Sequence, residues 1–180
     1  KFLAAGYVVV APDYEGLGEP SGRELHPFLN VKSEAYSITD AVVAARSYLA
    51  SQGKVLSRQW VTVGHSQGGQ AALGAAQYAS RAKLEYKGTV AVAPASNLGA
   101  ILVKGEQSVE NAPIAQQIQM YAQLDTFTAL ITAGIRNLQP TFNYINVFKS
   151  PTDEIASRAE LDCYDQVGQK FGAAMQTYAF

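Results

Sequence analysis

A single cysteine in 180 residues, Cys163, rules out a disulfide within the chain and leaves its redox compartment open. Standing alone, it reads as a small buried hydrophobe. Long apolar runs are missing as well, and no stretch approaches the ~20 residues that a membrane-spanning helix requires. Nor does the chain open with the basic segment, apolar stretch and cleavage site of a secretion signal. Lys1-Phe2-Leu3-Ala4-Ala5-Gly6 leads straight into a β-branched run, an opening of the kind found inside a protein. Neither sign of charge is in excess: 14 Lys and Arg against 15 Asp and Glu give a net charge of -1. That balance provides no footprint for a nucleic-acid backbone and no polybasic membrane patch, so nucleic acid is not an expected partner. Internal repeats and low-complexity linkers are absent too. What is present is the composition of one ordinary globular domain, 48% hydrophobic and able to furnish a sizeable core.

The stretch that carries chemistry is residues 60–74, Trp-Val-Thr-Val-Gly-His-Ser-Gln-Gly-Gly-Gln-Ala-Ala-Leu-Gly. A β-branched run at 61–63 meets Gly64-His65-Ser66-Gln67-Gly68, and a small-residue helical pattern over 71–79 follows at once. The order is strand, sharp turn, helix. A serine in such a corner sits in a strained backbone conformation, so the residues two before and two after it must be small, a demand that Gly64 and Gly68 meet. The hydroxyl then stands clear of the sheet. The helix behind it aims backbone N–H groups and a positive dipole end at the same spot, which suits an anionic tetrahedral intermediate. Ser66 is the candidate nucleophile and the Gln67 N–H one candidate oxyanion donor. A bare G-x-S-x-G is a weak pattern, and the flanking strand and helix give it specificity. The competing reading is an ordinary strand-to-helix turn whose serine merely caps the helix.

Around this stretch the pattern alternates. Residues 1–5 read as the last turn of a helix with Gly6 in the capping position. Tyr7-Val8-Val9-Val10-Ala11 is a continuous apolar run, predicted to be the first parallel strand and covered on both faces. The loop after it runs through Pro12, Asp13, Gly16, Gly18, Pro20, Gly22 and His26-Pro27 to about residue 32. Gly16, Gly18 and Gly22 after a strand invite a dinucleotide reading, but their spacing misses G-x-G-x-x-G and Pro20 opposes a helix start there. Ser33 is placed to cap a helix running to about Gln52, with Glu34 and Asp40 in its first half, Arg46 late and Gly53 just past the end. Ile38, Val42, Ala45 and Leu49 give it one apolar stripe. Residues 88–94 form a third buried strand in this scheme, so the first hundred residues alternate as a doubly wound parallel sheet does. From Asn97 onward no clear buried strand follows. One helix starts at Asn111-Ala112-Pro113, with Ile114, Ile118, Tyr121 and Leu124 on a shared face, and another at Ser150-Pro151-Thr152. Tyr121, Phe127, Phe142, Tyr144 and Phe148 either line an apolar acyl-binding cleft or, as is commoner for such residues, pack helices together.

Set beside Ala5-Gly6-Tyr7-Val8-Val9-Val10-Ala11-Pro12-Asp13-Tyr14-Glu15-Gly16, the Gly64-His65-Ser66-Gln67-Gly68-Gly69 stretch makes the chain resemble an α/β-hydrolase. Within that fold it is most similar to the secretory lipases of the fungal lipase A type. The motifs lie in roughly the first hundred residues, and the rest matches in general character only. The resemblance implies an α/β fold, a partial doubly wound parallel sheet, with residues 1–96 the central part of the core and residues 97–180 a helical cap or lid. It implies a serine hydrolase of carboxylic esters acting through an acyl-enzyme on Ser66, on a small-molecule or lipid ester. It implies no cofactor and no metal, and a secreted protein. In that family the oxyanion hole takes a second backbone N–H from the aspartate of the loop after the strand, which corresponds to Asp13. Read without the family, Asp13 is a turn-forming residue.

The departures are as informative. In α/β-hydrolases the acid and the histidine follow the serine, and here no histidine follows Ser66. His65 occupies the variable position of the corner, directed away from the hydroxyl, which suits packing or support. His26 as a base would break the order of the fold. Asp153, Asp162 and Asp165 end no predicted strand and receive no catalytic assignment. By the resemblance, strands before Lys1 and two last strands after Phe180 complete the sheet, and the latter come with the acid and histidine. An earlier strand would then lie between residues 7–11 and 61–63, holding them roughly 9 to 10 Å apart, twice the usual spacing of neighbours. The alternative function is a non-catalytic binding module that retains the corner and has lost the triad. Peptidase or acyltransferase chemistry also stays open, because the same corner serves any acyl transfer.

Overall fold

The computed structural model describes residues 1–18 and 24–178. Pro20 and Gly22 of the loop above lie outside the described residues. The chain forms two units, one of Lys1–Gly18 with Leu29–Ser96, and one of the described residues of 24–28 and 97–178.

The first unit is built on a two-stranded parallel sheet of β1 (Gln59–His65) and β2 (Glu85–Val92), in register from Gln59 opposite Glu85 to His65 opposite Val92. Helix α2 (Gln67–Gln77) connects them, and helix α1 (Val31–Ser51) precedes β1. Burial alternates along β1: Trp60 and Thr62 are covered while Val61 and Val63 are about half exposed. The covered face is fixed by a cluster of Trp60, Ala79 and Ala82 with Ile38, Val42, Leu84 and Tyr86, the Trp60 and Tyr86 rings meeting edge to face at 4.8 Å. Thr62 anchors α2 to this face. Its hydroxyl donates to the Ala72 carbonyl at 3.2 Å and lies 2.9 Å from both the Tyr86 and the Thr89 hydroxyls. A bulge between Trp60 and Val61 shifts the register so that Lys87 has no partner on β1, and Gly88 takes φ 153 to absorb it.

Three expectations for this unit are corrected. Residues 7–11 are not a strand of the sheet: Val8 to Ala11 make no backbone bond to β1 or β2, and the Tyr7 N–H turns back to the Phe2 carbonyl at 3.2 Å. A cavity of about 850 Å³ is lined by both this segment and residues 59–63, so the run has the composition of a strand without a partner for its ladder. Second, β2 is not buried on both faces, since Val90 and Val92 are more than half exposed where α1 and α2 cover only the opposite side. Third, α1 starts three residues early. Asn30 is the N-cap and accepts from the Ser33 N–H at 3.2 Å, while the Ser33 hydroxyl donates instead to Glu15. Gly6 does cap a short turn (Leu3–Ala5) in the left-handed conformation, and Gly53 follows α1 at φ 71.

The second unit holds α3 (Leu98–Val109), α4 (Ile114–Leu138), α5 (Thr152–Ser157) and α6 (Tyr164–Tyr178), with no strand among its described residues. Its core joins Ala122 and Ala129 of α4, Tyr144, Phe148, Ala156 of α5, and Val167 and Phe171 of α6. Phe148 stacks on Phe171 at 5.7 Å, and Phe127 tilts against Tyr164 at 5.3 Å, so these aromatic residues pack helices together. The buried face of α4 is not the one that Ile114, Ile118, Tyr121 and Leu124 share. It is the small-residue row Ala122, Thr126, Ala129 and Ala133, which lets α6 come close, while Ile114 stays 59% exposed. Residues 24–28 are held to α4 by Asn137, whose side chain donates to the Leu25 carbonyl at 2.7 Å. Cys163 is exposed rather than buried: it sits at the start of α6, where its N–H donates to the Gln166 side chain and its carbonyl receives the first helical bonds. Among the described residues no helix is long and apolar enough to cross a membrane.

Candidate functional site

The chain turns from β1 into α2 at Ser66, whose backbone takes φ 56 and ψ -119. Side chains rarely adopt that region, and a residue stays there only when its surroundings over-determine it. They do so here from three directions. The Ser66 N–H donates to the Val92 carbonyl at 3.0 Å, and the Ser66 carbonyl accepts from the Ala95 N–H at 3.1 Å and from the Gln70 N–H at 3.1 Å. Ser66 is thus pinned at once to the end of β2 and to the first turn of α2, and it is exposed.

The two flanking glycines turn out to be unequal. A Cβ on Gly64 would stand 1.9 Å from the Gly68 carbonyl oxygen, so the chain folds back on itself through a position only glycine fits. Gly68 faces open space. The third glycine, Gly69, is buried where a Cβ would come within 3.0 Å of both Pro94 and the Val92 carbonyl, which seats α2 tightly on the end of β2. Helix α2 begins at Gln67, so its first N–H groups stand at the positive end of the helix with no carbonyl one turn back inside it.

The first turn of α1 packs beside this corner. Glu34 is fully buried, and its Oε1 accepts from the Gln67 side-chain amide at 2.9 Å. Its Oε2 is buried without a hydrogen-bond partner. Burial lifts the Glu34 carboxyl from its ordinary 4.5 to about 7, against the pull of the Gln67 and Leu29 hydrogen bonds, which lower it. Tyr14, in the loop after Pro12, is raised by burial first and by the Glu34 charge second, which places that loop beside Glu34. Asp13 is exposed, with no hydrogen bond to Ser66 or Gln67 among the described residues; its loop reaches the corner through Tyr14 and Glu34. Gly16, at φ 78, closes the turn that returns the Leu17 N–H to the Tyr14 carbonyl at 3.0 Å.

The remaining candidates divide plainly. His65 ends β1 with an exposed side chain. His26 belongs to the helical unit, its ring edge-on to Phe28 at 6.0 Å. Asp162 is drawn down to about 2 by hydrogen bonds from Arg158 and Lys170, the pairing of a surface ion cluster. Among the described residues no cluster of His, Cys, Asp and Glu could hold a metal ion. Glu34 is the residue that reading the sequence as a helix-dipole acid missed, although it lies one turn before Ile38 on the same stripe as Val42 and Leu49.

No match is found among the curated proteins. A solved structure of a "putative hydrolase" from Legionella pneumophila subsp. pneumophila is similar at a TM-score of 0.73 and 16% identity, a likeness of fold. The similarity covers 98% of this chain and 49% of that one, so the chain spans about half the length of that structure. The family model described as alpha/beta hydrolase matches residues 1–178, essentially the whole sequence. With a strained serine at the junction of a parallel strand and a helix, and a family match along its length, the chain belongs to the alpha/beta hydrolase family.

Proposed function

We propose that the protein is a serine hydrolase of carboxylic esters, with Ser66 as nucleophile and the backbone N–H groups of Gln67 and Asp13 as oxyanion donors. The observation that carries this reading is the Ser66 backbone at φ 56 and ψ -119, locked to β2 and α2 and closed by a glycine that nothing else can replace. Strain held this firmly at an exposed hydroxyl is a feature that folding alone does not call for.

The Ser66 Oγ attacks the ester carbonyl carbon, its proton passing to a base and from there to the departing alkoxide. The carbonyl oxygen becomes an oxyanion facing the start of α2, and collapse of the tetrahedral intermediate leaves an acyl-serine and a free alcohol. Water then releases the acid and restores the hydroxyl. Neither His26 nor His65 is assigned as the base. Kinship with secretory lipases of the fungal lipase A type is the finer proposal, supported by the Asp13 loop and the Gly64–Gly69 residues, and the helical unit is proposed to take part in choosing the ester.

The test is a fluorophosphonate probe on the protein expressed from its complete open reading frame. Ser66 is the expected labelled residue, and Ser66→Ala, with folding intact, is expected to lose both label and ester turnover. Turnover retained in Ser66→Ala would place the nucleophile elsewhere, and a folded protein with neither label nor turnover would favour a binding module.

A further inference from the structure

Two side-chain contacts from α2 to the residues at the start of α1 lie near the corner, and the reaction as written does not use them. Gln67 and Gln70 lie one turn apart on α2, and both reach toward α1. The Gln67 amide donates to Glu34 Oε1 at 2.9 Å, and the Gln70 amide donates to the Leu29 carbonyl at 3.4 Å. The Leu29 backbone lies beside the Glu34 carboxyl and pulls its titration down. Leu29 is itself strained, with φ 63 in a residue that is not glycine, and its carbonyl is held by Gln70. A carboxyl is a costly choice for such a brace, because Oε2 is left buried and unpartnered.

The side chain held by this brace belongs to the residue whose backbone N–H faces the oxyanion. We propose that Glu34 is a positioning residue: by gripping the Gln67 side chain, it fixes the first turn of α2 against α1 and so sets the direction of the Gln67 N–H. This rests on Ser66 being the nucleophile. Glu34 touches neither substrate nor the reacting atoms, and its effect passes through Gln67. A donor misplaced by about 1 Å costs on the order of 10²-fold in rate, so loosening the grip is felt in kcat, while substrate held elsewhere leaves KM nearly unchanged.

The experiment compares kcat and KM for a short-chain nitrophenyl ester across Glu34→Ala, Glu34→Gln, Gln67→Leu and Ser66→Ala in the full-length protein, with circular dichroism as the folding check. Glu34→Ala and Gln67→Leu are expected to lower kcat about 10- to 100-fold with KM within about threefold. Glu34→Gln keeps an acceptor oxygen for Gln67 and is expected to stay within about threefold of wild type. The double variant Glu34→Ala with Gln67→Leu should lose no more than either alone, because one contact is being cut twice. Should Glu34→Ala fail to fold, Gln67→Leu cuts the same contact from α2 and decides alone. Wild-type kcat in Gln67→Leu, or a Glu34→Gln as impaired as Glu34→Ala, overturns the positioning role while a dead Ser66→Ala keeps the hydrolase reading. Turnover retained in Ser66→Ala overturns both.

Discussion

Glu34 shows how much one buried carboxyl can say about a site. Its carboxyl is raised to about 7 chiefly by burial, so the folded chain holds a proton there at pH values where the unfolded chain has released it. The folded state binds more protons between the ordinary 4.5 and about 7, and stability must therefore fall as pH rises across that window and level off above it. Asp125, lifted by burial to about 6, acts with the same sign, so the decline in the wild type is a sum. The expected outcome is that urea midpoints measured from pH 4 to 8 fall with pH, and that Glu34→Gln, which never ionises, flattens the part of that fall nearest pH 7. An identical slope in the variant would place the Glu34 proton elsewhere. From the sequence, Glu34 looks like an acid favouring the start of a helix, because charge is assumed to seek water. Its position on the apolar stripe one turn before Ile38 is the signal that it is buried. Cys163 errs the other way: a lone thiol suggests the core, yet its place at the start of α6 leaves it in solvent.

At the scale of elements, the junction of β1 and α2 is the part most legible in the sequence, and the reason is steric. Gly64-x-Ser66-x-Gly68 between a β-branched run and a small-residue helix admits few conformations. The structure then divides the labour unequally, and that division is testable. Gly64→Ala puts a methyl 1.9 Å from the Gly68 carbonyl and is expected to cost more than about 3 kcal/mol or to prevent folding. Gly68→Ala meets open space inside a helix and is expected to be neutral or to stabilise by up to about 1 kcal/mol. Equal effects on urea unfolding would mean that the turn closes differently. Elsewhere the sequence is less telling because its signals are local. Asn30 and Ser33 are both good caps, and only the Glu15 contact decides that Ser33 turns away. The buried row of α4 is Ala122, Thr126, Ala129 and Ala133, residues too small to announce a core face beside Ile114 and Leu124. An apolar run such as residues 7–11 records a preference for strand and nothing about whether a neighbour is there to pair with it.

For the whole molecule, the sheet is the exposed element. Val61, Val63, Val90 and Val92 are each more than half exposed on one face, and the edge of β1 away from β2 has no ladder among the described residues. An apolar strand edge in water is a template for another chain. The 180-residue chain taken alone is therefore expected to self-associate as its concentration rises, by light scattering, and to do so less when Val61 and Val63 are both replaced by lysine. Scattering that stays flat with concentration would show that the edge is protected. The open edge of β1 also sets how the isolated chain would deteriorate. If loss begins when two chains meet edge to edge, it is second order in protein, so a tenfold dilution lengthens the half-life tenfold, whereas a chain that failed by unfolding alone would keep the same half-life in any volume.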